Sequence, residues 1–314
     1  MNKKEIPVIW FDTDTGVDDA IALLAAAVLD RRGIIKLAGV SAVCGNVEQE
    51  KTFANARNVL FLAGRDDIPV YPGAESPLKR PLETAKHVHG ENGLGDAVIA
   101  PSPAPAETKP AWDALYECAK AWKGKLELVL VGPQTNAAIA LQKHPDLKQY
   151  LKRILVMGGA LEGGNTTPYA EYNIYVDPEA AKEVFAAGLP MVMCGLDVTM
   201  KAMLLRPDID LIEGGIGKGN RFFRELTRVS QIFYRRRVGD CYCGHDVCPV
   251  LFAAWPEFFS GRKVCIEVIA REGEHLGQTA EVPDAVEEQK RVFAVTGIDR
   301  LWFARKVKEI MDDV

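Results

Sequence analysis

The sequence predicts an α/β protein: a single domain over residues 1–314, built on a doubly wound, mainly parallel sheet with helices on both faces. Three observations carry this expectation. Short apolar runs recur, each followed by a polar or glycine-bearing turn and a longer amphipathic stretch, which is the order of strand and crossover helix that a parallel sheet needs. No internal repeat is present, and no loop divides the chain into two self-sufficient halves. The unusual polar residues fall just after the apolar runs.

Each element follows from local pattern. Residues 8–11 read as a buried strand, with 21–29 as the helix after it. Residues 37–43 lead through Cys44-Gly45-Asn46 into a helix over 48–62. Residues 126–131 lead through Gly132-Pro133-Gln134-Thr135-Asn136 into a helix over 137–142. Strands at 154–157 and 191–194 precede Gly158-Gly159 and Gly195 with Asp197. One helix is marked at both ends: Asp177 can cap it, Pro178 suits its first turn and Gly188 its stop. Residues 101–110 hold too many prolines for a helix or inner strand. Residues 213–220 read as a glycine-rich loop; 214–219 look phosphate-friendly, but no Lys-Ser/Thr follows.

Composition narrows the function classes. Of 314 residues, 48 % are hydrophobic and 26 % charged, the balance of a globular chain with a substantial core. A net charge of −5 gives no general attraction to nucleic acid or an anionic membrane, and the basic run Arg235-Arg236-Arg237 is short. Seven scattered cysteines form no disulfide framework and suit a reducing compartment. The apolar run at 6–11 is too short and too soon acidic for a signal peptide, and no segment reaches spanning length. The expected location is cytoplasmic, with neither nucleic acid nor membrane as partner.

Ligands of open parallel sheets bind beyond the carboxyl ends of the strands. Asp12, Asp14, Asn46, Asn136 and Asp197 all fall there. Asp12-Thr13-Asp14-Thr15-Gly16-Val17-Asp18-Asp19 places four carboxylates in eight residues. Left unpaired they repel one another, and a helix N-terminus returns only about 0.3–1 kcal/mol per charge. A bound cation is the stronger remedy, and all-oxygen ligands suit Ca²⁺ or Mg²⁺. The segment is no EF-hand, since Gly16 stands where a ligand is due, so further ligands must come from distant parts of the chain. The bland alternative makes Asp18 and Asp19 helix caps and leaves Asp12 and Asp14 solvated.

Other islands are weaker alone. His245-Asp246 pairs a general acid with a metal ligand, or is simply a hydrogen-bonded histidine at a capped helix start. Cys241, Cys243 and Cys248 beside His245 raise a zinc alternative, although no C-x-x-C is present. Asn165-Thr166-Thr167-Pro168-Tyr169-Ala170-Glu171-Tyr172-Asn173 can hold sugar hydroxyls or be a polar surface. Residues 87–95, with His87 and His89, form a glycine-bearing wall or lid, or a plain loop.

Taken together these islands resemble the inosine–uridine-preferring nucleoside hydrolase family. They appear in family order along nearly the whole chain: residues 12–20, Cys44-Gly45-Asn46, 89–95, 132–136, Met157-Gly158-Gly159, 165–173, Val176-Asp177-Pro178-Glu179-Ala180, Leu196-Asp197-Val198-Thr199 and His245-Asp246. The resemblance implies a nucleoside hydrolase-like fold, one Ca²⁺ per subunit, and hydrolysis of the N-glycosidic bond of ribonucleosides to ribose and free base, as in purine and pyrimidine salvage. It implies Asp14, Asp19, Asp246 and the Val131 carbonyl as metal ligands, and Asp14 also as general base. Asp18, Asn46, Asn165, Glu171 and Asn173 would hold the ribose. His89 and His245 would face the base, His245 as leaving-group acid. Homodimers or homotetramers are usual in the family.

Thr15 stands where the family usually has proline, Gln134 where it has leucine, and Val247-Cys248-Pro249 is atypical after the His-Asp pair. The purine-only branch has tryptophan where His245 stands, which favours a broad or pyrimidine-tolerant enzyme with Phe233 and Tyr234 as candidate base contacts. Two rivals stand beside this reading. Asp12-x-Asp14 after a strand also resembles haloacid-dehalogenase-like phosphatases, although Thr15-Gly16 departs from their motif. A ribonucleoside-binding protein without turnover is the non-enzyme alternative.

Overall fold

The computed structural model describes residues 5–237, 239–289 and 291–314. The side chains of Phe233, Tyr234, Arg236 and Arg237 lie outside the described set, as does the segment Met1-Asn2-Lys3-Lys4. Along the chain run the strands β1 (Val8–Thr13), β2 (Lys36–Ala42), β3 (Val70–Pro72), β4 (Leu126–Leu130), β5 (Leu151–Met157) and β6 (Met191–Cys194). They are followed by β7 (Met203–Leu205), β8 (Cys241–Cys243), β9 (Phe259–Val264), β10 (Ile266–Val268), β11 (Thr279–Glu281) and β12 (Val292–Ile298).

Neighbouring residues of β1 enter different cores. Ile9 and Phe11 join one apolar cluster and Val8 and Trp10 another. The same split recurs in β5, where Leu155 and Met157 face one way and Ile154 and Val156 the other, and in β6. Side chains alternate across a strand with period two. Here both faces meet apolar layers, so the inner strands are largely apolar. Helices Val17–Arg31, Val247–Ala254 and Arg300–Met311 supply one layer, and Ala111–Trp122, Thr135–Lys143 and Pro178–Phe185 the other. Phe11 is fully buried, and truncating such a ring to alanine costs about 3–5 kcal/mol.

Eight strands form the central sheet in the order β3-β2-β1-β4-β5-β6-β12-β9. All neighbours are parallel except β12 and β9, which are antiparallel. From β1 the chain winds outward to β2 and β3, then returns to β4 and winds the other way. The order reverses between β1 and β4, which puts a crevice beyond their carboxyl ends. This is the predicted doubly wound, mainly parallel architecture.

The helix marked at both ends is Pro178–Phe185; Asp177 caps it by accepting from the Ala180 N–H at 3.1 Å, and Gly188 follows with φ +78. Some expected boundaries are corrected. The glycine-rich loop is only residues 214–217, because one helix runs through Glu213 and the next begins at Lys218. Asn220 ties the turn by donating to the Ile212 carbonyl and accepting from the Gly217 N–H. Gly219 lies inside the second helix, where a Cβ would come within 2.4 Å of the Met311 carbonyl. The wall at 87–95 opens with a short helix, Lys86–His89, and the polar stretch 165–173 ends in another, Tyr172–Val176.

Candidate active site

The acidic segment divides by depth. Asp12 lies in β1, buried, where it accepts hydrogen bonds from Ser41 Oγ and, at 2.8 Å, from Asn136 Nδ2. Burial pushes its carboxyl up to about 7. It braces the strand ends and does not line the cavity. A nucleophilic Asp12, which the phosphatase reading needs, is therefore not offered by this arrangement.

Asp14 follows the end of β1. Its Oδ2 accepts from the Asn46 N–H at 2.7 Å, while Oδ1 is buried with no hydrogen-bond partner among the described residues. Backbone closes around it: a Cβ on Gly45 would sit 2.1 Å from its Oδ2, so only glycine fits there. Asp19 accepts from Thr13 Oγ1 at 2.6 Å, the Gly16 N–H at 2.9 Å and Asn46 Nδ2 at 3.0 Å. It thus performs the helix-capping task as well as joining the cluster.

Asp246, far along the chain at the start of Val247–Ala254, meets this turn. Ligand atoms of Asp18, Asp19 and Asp246 lie within 4.8 Å of one another, and Asp19 touches both Asp14 and Asp246. Burial and then mutual repulsion push Asp14 well up and Asp18 to about 8; for Asp246 the chief causes are burial and its aspartate neighbours. Asp18, counted among the crowded carboxylates in the sequence and given the ribose by the resemblance, is thus a full member of the cluster. The donor set is entirely oxygen, the buried Asp14 Oδ1 has no partner among the described residues, and the carboxylates crowd one another with no Lys or Arg ion pair among the described residues, only the His89 imidazole 3.8 Å from Asp18. These residues fit a hard divalent cation. Among the described residues no zinc-type set of Cys241, Cys243, Cys248 and His245 is found.

Beside the cluster opens a cavity of about 320 Å³. Of the sequence-predicted residues, Asp18, Asn46, His89, Val131, Asn165, Glu171, Asn173, His245 and Asp246 line it, while Asp14 and Asp19 stand behind that wall. Glu171 caps Tyr172–Val176, accepting from the N–H groups of Gly159, Asn173 and Ile174. Burial pushes it up to about 7. Asn173 Nδ2 donates to the carbonyls of Val131 at 2.8 Å and Met157 at 3.2 Å, and Asn165 Oδ1 accepts from the Tyr172 N–H. His89 Nδ1 accepts from the Val17 N–H at 3.0 Å. His245 Nδ1 lies 2.8 Å from Thr199 Oγ1. Burial pushes both imidazoles down, to about 3 and about 4.

The sequence reading missed Thr199 as a partner of His245, and Val17, Met157, Tyr172, Tyr175 and Tyr242 as cavity wall. Thr199 was visible only as the end of Leu196-Asp197-Val198-Thr199. The apolar and aromatic wall carries no local signature, because such residues are as common in any core.

A family model, inosine-uridine preferring nucleoside hydrolase, matches residues 9–305. The chain belongs to this family. It is 41 % identical to the pyrimidine-specific ribonucleoside hydrolase RihA of Citrobacter koseri and 40 % identical to that of Photobacterium profundum, over 81 % and 87 % of both chains respectively. Among solved structures it resembles the plant nucleoside hydrolase PpNRh1 (TM-score 0.91, 26 % identity, 98 % of this chain and 99 % of that one). It also resembles a purine-preferring ribonucleoside hydrolase from Gardnerella vaginalis (TM-score 0.90, 29 % identity, 98 % and 100 %). The protein is thus an enzyme, a ribonucleoside hydrolase acting on small-molecule nucleosides, from a family that is metal-dependent in general. None of its helices is long and apolar enough to cross a membrane among the described residues.

Proposed function

We propose that the enzyme cleaves the N-glycosidic bond of ribonucleosides, pyrimidine ribonucleosides among them, in a Ca²⁺-dependent reaction. Asp14 serves as general base and His245 as acid to the departing base. The observation that carries this reading is the meeting of Asp18 and Asp19 with Asp246, from distant parts of the chain, at the edge of a cavity rimmed with amide and carboxylate groups. The pyrimidine preference rests on the RihA relatives and on His245 standing where tryptophan is expected in purine-only enzymes.

Asp14, Asp19, Asp246 and the Val131 carbonyl would hold the ion, with Asp18 close beside them. Calcium held there supplies a fixed positive charge that orients a water and the vicinal ribose hydroxyls. Asp18, Asn46, Asn165, Glu171 and Asn173 fix the sugar by hydrogen bonds. In the chemical step the water oxygen bonds to C1′ as the bond from C1′ to the base nitrogen breaks. Asp14 takes the water proton, the bonding pair leaves with the base, and a proton from His245 neutralises it. Positive charge on the ribose, as in other glycoside hydrolysis, is favoured by the surrounding carboxylates. His89 faces the base. We read the chain as one domain working in the cytoplasm as a homodimer or homotetramer.

A panel of ribonucleosides and 2′-deoxyribonucleosides assayed for free base tests this. Uridine and cytidine should be cleaved, and their 2′-deoxy counterparts poorly. Equal cleavage of both series would overturn the proposed role of the ribose diol.

A further inference from the structure

The stretch of chain from Arg80 to Ala85 is held mainly at its two ends. At one end Arg80 pairs with both carboxylate oxygens of Glu179 at 2.9 Å and with Glu272 at 2.7 Å. At the other the Ala85 N–H donates to the Asn46 carbonyl at 3.0 Å. Between them Leu82 packs against the cluster of Val43, Cys44 and Ala74, while Glu83 and Thr84 line the cavity. Among the described residues a single hydrogen bond holds residues 81–84. Tyr172 Oη, 89 residues along the chain, donates to the Glu83 carbonyl at 2.9 Å. Tyr172 is itself well anchored: its N–H donates to Asn165 Oδ1 at 2.9 Å, and it opens a helix that Glu171 caps. The bridge therefore joins a rigid segment of the cavity wall to one with little else to fix it, at the exposed rim.

The proposed placement of the sugar says what meets this bridge. The diol side of the ribose faces Asp14, Asp18, Asp19 and Asp246, and the base faces His89 and His245. What remains for the C5′ arm is the wall of Asn165, Glu171 and Tyr172, all of which line the cavity. A bulky group on C5′ would run into the Tyr172 ring and the Glu83–Thr84 segment tied to it. Seating such a group means breaking the bridge and displacing that segment.

We infer that Tyr172 is a specificity-determining residue whose bridge to Glu83 closes the cavity beyond C5′ and limits substrates to ribonucleosides with an unextended 5′-hydroxymethyl group. The inference rests on the proposed ribose contacts and adds the boundary that they leave open.

The test uses calcium-loaded native enzyme, Tyr172→Phe and Tyr172→Ala, each assayed for free base on uridine, 5′-O-methyluridine and 5′-O-benzyluridine. Both ethers lack the 5′-hydroxyl proton, so the ratio of their kcat/KM values reports the room at C5′ and not a lost hydrogen bond. The native enzyme should favour the methyl ether by roughly 100-fold. Tyr172→Phe keeps the ring and removes only the bridge, so that ratio should shrink by about 2–10-fold, the worth of one hydrogen bond. Tyr172→Ala removes the ring as well and should bring the two ethers within about 10-fold of each other. If neither ether turns over, their inhibition constants against uridine give the same ratio. A native ratio near one overturns the inference, and so does a ratio unmoved in Tyr172→Phe; a merely structural role would slow all three substrates alike and leave the ratio where it was. If Tyr172→Ala does not fold, the native enzyme and Tyr172→Phe decide it. Uridine separates the two levels. Native enzyme that releases no uracil from uridine sinks the proposed reading and the inference with it, whereas uridine cleavage with an unmoved ratio sinks the inference alone.

Discussion

Replacing Asp246 with asparagine should stabilise the metal-free protein while abolishing its response to calcium. The ligand atoms of Asp18, Asp19 and Asp246 lie within 4.8 Å of one another. At an effective dielectric of ~20, two unit charges at that separation repel by roughly 3–4 kcal/mol. A helix N-terminus returns at most about 1 kcal/mol per charge at ordinary exposure, so the metal-free cluster sheds charge by taking up protons. Asp246→Asn removes two of the three repelling pairs. Because protonation already relieves much of that repulsion, the net gain is about 1–3 kcal/mol. Unfolding entropy scales with length, and for 314 residues it is roughly 0.7 kcal/mol per degree. The metal-free variant should therefore melt about 1–4 °C above metal-free wild type. Calcium at ~100 times its Kd adds about 2.7 kcal/mol, which raises the wild-type Tm by about 4 °C; the variant should hardly move. Scanning calorimetry of chelator-treated protein, before and after calcium is restored, reads both effects. A metal-free variant less stable than wild type that keeps the calcium shift would refute the reasoning.

Asp14→Asn keeps the shape of a side chain held by the Asn46 N–H but cannot take a proton; turnover of uridine should fall by roughly 10²–10⁴-fold with substrate binding largely kept, and near-normal turnover would remove Asp14 as the base. Glu171 makes a signed pH prediction. Its folded pKa of about 7 lies above the ordinary 4.5, so its contribution to stability is complete below the unfolded value and is lost as pH rises through about 7. That loss is up to about 3 kcal/mol, or roughly 4 °C for a chain of this length. Glu171→Gln does not titrate, so Tm measured from pH 5 to 8 should show the variant gaining on wild type by about that much. Parallel pH curves would contradict the buried state of Glu171.

The architecture was legible because strands buried on both faces are apolar runs separated by turn residues, and residues 8–11, 126–131 and 154–157 stand out for that reason. The strands of the last third were not read. β9 is an edge strand whose middle is exposed, so it lacks the apolar run, and β12 is less fully buried toward its end. The carboxylates could be read because crowding like charges is costly and calls for a cause. That argument found Asp14, Asp18 and Asp19 and called for a remote ligand, which the His245-Asp246 pair and the resemblance supplied, but it assigned Asp12 to the same group, since a sequence does not say that Ser41 and Asn136 reach Asp12 from β2 and the helix after β4. Thr199 was missed for the same reason: its partner, His245, lies 46 residues away. Distances between remote segments come from the winding of the sheet, not from local pattern.

Crystals grown with calcium and measured for anomalous scattering test the central claim most directly. The account predicts one strong peak about 2.3–2.6 Å from carboxylate oxygens of Asp14, Asp19 and Asp246 and from the Val131 carbonyl. A peak bound by other residues, or none at saturating calcium, would contradict it.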